Sequence, residues 1–64
     1  MMFNEFIGKE VVLMVRMGDV ILPMRGVPLS ETDATVHFKI SDGWFVDVYK
    51  AMIISARTTK GAGQ

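Results

Sequence analysis

The chain has no cysteine, a single histidine, two prolines and no excess of either charge, since seven Lys and Arg balance seven Asp and Glu over 64 residues. Each shortage excludes something. Without cysteine there is no disulfide framework and no thiolate for zinc, and His37 has no second imidazole with which to share a metal. No metal or other cofactor is expected. Without net positive charge the chain lacks the broad basic footprint from which nucleic-acid binders draw much of their affinity, so any such binding must come from a local cluster. Apolar runs are short, Val11 to Val15 being among the longest, against the roughly 20 residues that span a bilayer. No basic start leads into an apolar stretch and a small-residue cleavage site. The expectation is a cytoplasmic protein with no membrane partner.

What is present is apolar: half the residues are hydrophobic. A domain of this length removes only about 60% of its unfolded surface from water, and a core so small usually needs disulfides, a metal or association. Association is the remedy left, so the chain itself is the first expected partner. The organisation predicted is one domain over residues 1–57, followed by a flexible tail, 58–64, rich in Thr, Lys, Gly and Gln.

Within the domain, Asn4 caps at most one helical turn, because Gly8 ends the pattern. A first strand is predicted from Lys9 to Met17, closed by the Gly18-Asp19 turn. A second runs from Val20 to Ser30 and must be bent or exposed at an edge, because Pro23, Gly26 and Pro28 do not suit a flat central strand. Gly26 is the predicted bend. After the polar turn Glu31-Thr32-Asp33, Ala34, Val36, Phe38 and Ile40 alternate with Thr35, His37, Lys39 and Ser41, the cleanest strand signal in the chain. Asp42-Gly43 then makes a hairpin with a fourth strand, Trp44 to Val48. Tyr49-Lys50 marks a corner before a fifth strand, Ala51 to Ala56. Five short antiparallel strands with no room for crossover helices predict an all-β fold, a strongly bent five-stranded barrel. The first strand is apolar on both faces, Val11, Leu13 and Val15 against Val12 and Met14, and the last sets Ile53 against Met52 and Ile54. Strands of that kind are normally covered on both sides, and a second subunit is the simplest cover.

This order of elements resembles the Sm-like family, which includes the eukaryotic Sm and LSm proteins and bacterial Hfq. Phe6-Ile7-Gly8-Lys9-Glu10-Val11-Val12-Leu13 is similar to the helix exit and first strand of LSm proteins, and Gly26 stands where the family has its bending glycine. Tyr49-Lys50-Ala51-Met52-Ile53 resembles the Tyr-Lys-His-Ala-Ile signature of Hfq. The resemblance covers about residues 6 to 56. It implies a homo-oligomeric ring in which the fourth strand of one subunit pairs with the fifth of the next. It also implies single-stranded RNA binding at Thr32, Asp33, Thr35, Tyr49 and Lys50. Two departures bear on specificity. The Glu31-Thr32-Asp33-Ala34-Thr35 loop lacks the aromatic or Met and the Asn that grip a base in the family, and Ala51 replaces the signature His, so low sequence selectivity is implied.

Other residues carry plainer expectations. His37 is read as an outward surface residue, and Asp19 and Asp42 as turn formers. Ser30, Ser41 and Ser55 have no nucleophile motif around them, and no glycine-rich phosphate loop occurs, so no catalytic residue is named. Trp44, Val46 and Val48 share one strand face, and Phe45, Asp47 and Tyr49 the other. One set is expected in the core and the other at a subunit contact, in preference to base stacking. A second functional class remains open beside RNA binding: a small β-barrel module for protein interaction or scaffolding, favoured by the neutral charge.

Overall fold

The computed structural model describes residues 3–59. It is all-β, one five-stranded antiparallel sheet in the order β4-β3-β2-β1-β5. The strands are β1 (Val11–Met17), β2 (Val20–Glu31), β3 (Thr35–Ile40), β4 (Phe45–Tyr49) and β5 (Ile53–Thr58). Two 3₁₀ turns, Asn4–Phe6 and Lys50–Met52, are the helical elements among the described residues, and no helix there is long and apolar enough to cross a membrane.

The bend comes from the length of β2. Its first part pairs with β1, from Met17↔Val20 to Val11↔Gly26, and its second part pairs with β3, from Gly26↔Ile40 to Glu31↔Val36. Gly26 is therefore the residue where the strand changes partner, and three backbones converge on it. A Cβ built there would stand 2.1 Å from the Lys39 carbonyl oxygen, and 2.9 Å from both Ile40 Cα and Phe38 Cε2. Any side chain at this position would push β3 off β2. The Gly18-Asp19 connection joins β1 to β2 as a two-residue hairpin, with Gly18 at φ +64°. A positive φ at the first of two central residues is what a II′-type turn requires.

Alternation sets the core. Val11, Leu13 and Val15 of β1, Val36 and Phe38 of β3, Val48 of β4 and Ile53 of β5 point inward and are buried, with Phe3 completing the cluster from the N-terminal side. Phe6 packs on Phe3 with ring centroids 5.9 Å apart. Two bulges adjust this parity. One between Pro28 and Ser30 sends Ser30 outward beside His37 and turns Glu31 inward opposite Val36. The other, where β5 passes Met14 and Val15, leaves Ile54 exposed beside the buried Ile53.

Several expectations are corrected. The sheet is strongly bent but does not close into a barrel: β4 and β5 are its two ends and do not pair with each other. Asn4 lies inside the first 3₁₀ turn, and no side chain caps that turn. Trp44 precedes β4 and is 73% exposed, so it is not core. Residues 50 to 52 form a 3₁₀ turn, which moves the start of the last strand to Ile53. At the other end β5 runs through Thr58, and Thr59 donates from its amide to the Glu10 carbonyl (3.1 Å) and from its hydroxyl to the Glu10 carboxylate (2.9 Å). The rest of the tail, 60–64, lies outside the described residues.

Candidate binding site

The turn between β2 and β3 is built by one hydroxyl. Thr32 Oγ1 accepts from the amides of Ala34 (3.2 Å) and Thr35 (2.9 Å), while the Thr32 amide donates to the Thr35 carbonyl at 2.8 Å. With both lone pairs of Thr32 taken, its hydrogen is left to donate to Thr35 Oγ1, 2.8 Å away. These two threonines are thus committed to shaping the turn. Asp33, at its tip, is exposed.

The corner after β4 is docked onto this turn. Thr35 pairs with Tyr49 across the β3–β4 ladder, and the Lys50 amide donates to the Ala34 carbonyl at 2.8 Å. The five residues named for RNA contact, Thr32, Asp33, Thr35, Tyr49 and Lys50, are therefore brought to one end of the sheet. Their side chains are not equally available. Lys50 Nζ donates to Glu31 Oε1 at 2.7 Å, and the two side chains are only 14% and 16% exposed. The buried Phe3 also donates its amide to both Glu31 oxygens, at 3.2 and 3.1 Å. Lys50 holds the Glu31 carboxyl below the ordinary glutamate range, against the opposing effect of desolvation and with help from the Phe3 amide. Glu31 is thus a lock joining the N-terminal segment, the end of β2 and the β4–β5 corner. The sequence places Glu31 in this loop, but its inward direction depends on the bulge at Leu29, which no periodicity reveals.

The outer face of β3 and β4 holds a second group of polar and aromatic side chains. His37 faces Asp47 across the ladder, with Nδ1 and Oδ1 2.8 Å apart. The His37 ring lies parallel to Phe45 (centroids 5.9 Å apart, planes 9° apart), and Lys39 Nζ stands 5.9 Å from the same Phe45 ring centre. His37, the one histidine of the chain, thus has a carboxylate partner. The signal for its partner was available, because His37 and Asp47 are equidistant from Asp42 at the centre of the hairpin turn.

Between β4 and the β1–β2 hairpin, an apolar cavity of about 310 Å³ opens, lined by Val15, Met17, Met24, Val46, Val48 and Met52 among others. Among the described residues no group of three or more His, Cys, Asp or Glu side chains is placed to hold a metal. The chain matches no protein-family model, no curated protein and no solved structure.

Proposed function

We propose that the chain is a non-catalytic, Sm-like cytoplasmic protein that assembles head to tail into a closed homo-oligomeric ring and binds single-stranded RNA with low sequence selectivity. The single observation that carries this reading is the strand order. It leaves β4 and β5, of five and six residues, as the two edges of one bent sheet. Each edge presents a row of backbone donors and acceptors that a second chain can satisfy by strand addition. Different edges meeting head to tail make a heterologous contact, which closes into a ring when the rotation permits. The apolar cavity beside β4 supports the same reading, because addition of a strand there would cover part of it.

The RNA site of this reading is the rim made by the Glu31–Thr35 turn, Tyr49 and Lys50. Repetition around an axis would sum the contribution of each Lys50, while Glu31 and Asp33 oppose it, so affinity should be modest and salt-sensitive. One observation favours the rival reading, a scaffold without nucleic acid: Lys50 already has a carboxylate partner and little exposure. Light scattering coupled to size exclusion tests the ring, and a monomeric mass at micromolar concentration would remove it. Titration of single-stranded RNA at low and moderate salt, against wild type and Lys50→Ala, tests the rim. The Lys50→Ala/Glu31→Gln double variant controls for the carboxylate left unpaired. Binding lost in both variants, with the oligomer intact, supports the rim. No binding by wild type at low salt leaves the scaffold.

A further inference from the structure

The three most exposed large apolar side chains of the described residues are all aromatic and lie within one short segment: Trp44 at 73%, Phe45 at 56% and Tyr49 at 60%. From these residues we infer that the outer face of the β3–β4 hairpin is a stacking surface for the bases of a single-stranded nucleic acid, meeting the Lys50 rim only at Tyr49. The ligand class is that of the proposed rim site and Tyr49 belongs to both, but the stacking surface rests on Phe45 with Lys39 and does not need Lys50.

Three features point to bases. Alternation puts Phe45, Asp47 and Tyr49 outward while Val46 and Val48 face the core, so the two rings stand on the same face, held by a ladder from Thr35↔Tyr49 to Lys39↔Phe45. Phe45 is also oriented in advance, one side of it occupied by the parallel His37 ring and Lys39 standing near. An aromatic ring fixed next to a cation is the pairing that holds a base by its π-face and the adjoining phosphate by charge. Spacing is the third feature. Four steps along the strand separate Phe45 from Tyr49 by about 14 Å, whereas stacked bases in a duplex are about 3.4 Å apart along each strand. A strand engaging both rings must have its bases splayed, which a single strand allows and a duplex does not.

Charge sets the character of the binding. Asp47 lies between the two rings and is paired with His37, leaving Lys39 as the nearby cation without an opposing carboxylate across the ladder. Stacking therefore supplies most of the affinity, and the salt dependence should be shallow, unlike that expected at the rim. Edge addition to β4 uses its in-plane backbone groups, so this outward face is compatible with a ring.

Trp44, the only tryptophan of the chain, adjoins Phe45 and serves as the reporter. Its emission is followed while oligoadenylate, oligouridylate and a matching duplex are titrated at low and moderate salt. The expected result is quenching by both single strands but not by the duplex. Phe45→Ala and Tyr49→Ala should each weaken binding about 5- to 150-fold. Phe45→Leu, which keeps apolar bulk without a π-face, should weaken it similarly, and Phe45→Trp should restore it. Thermal melts and light scattering on each variant confirm that fold and assembly are retained. Binding unchanged in Phe45→Ala would overturn the inference, even if Lys50→Ala or Tyr49→Ala abolished binding at the rim. Loss of oligomer in Phe45→Ala with binding retained would also overturn it, assigning the surface to a subunit contact. Quenching that survives Lys50→Ala but not Phe45→Ala would uphold the stacking surface and reject the rim.

Discussion

The two ends of β2 finish in opposite ways. At the β2–β3 end the residues are polar, and the charged pair is closed in: Glu31 and Lys50 are mostly hidden, and Thr32 bonds to Thr35 within the turn. At the β1–β2 end the residues are apolar, and they are open: Met17, Val20, Ile21 and Leu22 are 43 to 53% exposed. Residue type alone would suggest the reverse. The difference shows that in a single bent sheet burial follows from what lies opposite a position. The N-terminal segment and the Lys50 corner cover one end, and nothing within the described chain covers the other.

The change that most directly breaks this arrangement is Gly26→Val, because Gly26 is where β2 passes from one end's partner to the other's. A Cβ would collide with the β3 backbone and with the buried Phe38 ring, so the cost belongs at the upper end of the ~1–3 kcal/mol typical of overpacking. For so small a domain the melting temperature should fall by many degrees, read by circular dichroism. An unchanged melt would show that the bend does not depend on this close approach.

A smaller effect is expected at the closed end, and its sign can be worked out. The Glu31 carboxyl is held below its ordinary range in the folded chain. Its contribution is then fully present above the unfolded glutamate value, about 4.3. It is lost as pH falls below that value and through the lower, folded one. Melts of wild type and Glu31→Gln should differ at neutral pH, with the variant less stable, and converge on acidification. Equal melts at neutral pH would mean that the Phe3 and Lys50 contacts do not hold that end together.

The smallest effect belongs to the open end. Ile21 is on the outer face opposite Arg16 and 43% exposed. Ile21→Thr should alter stability by no more than about 0.5 kcal/mol, as is usual for surface positions, measured by urea unfolding. A larger loss that depends on protein concentration would show that another copy covers this end.

Much of the fold is legible in the sequence because its signals are local. Gly18-Asp19 and Asp42-Gly43 mark two hairpins, the β3 alternation identifies its buried face, and Gly26 between two prolines marks the bend. Apolar Ala51 and Met52 continue the β-like pattern of the last strand in the sequence, yet the chain turns there in a 3₁₀ step that docks Lys50 on Ala34. The apolar run places Trp44 in the fourth strand on one face with Val46 and Val48, whereas it lies in the hairpin connection, one residue before β4. For the candidate site, the resemblance named the residues that meet at one end, but not that Lys50 would already be paired.

By itself the sequence determined the all-β character, the number of strands, the turns and the glycine at the bend, since each follows from backbone preferences over a few residues. Only the tertiary structure decided that the sheet stays open with β4 and β5 as edges. It alone also turned Glu31 inward to lock Lys50 and Phe3, and left the aromatics of β4 outside. Those outcomes depend on two bulges that shift side-chain parity and on which strands meet across the bend, and neither is encoded in the spacing of any single segment.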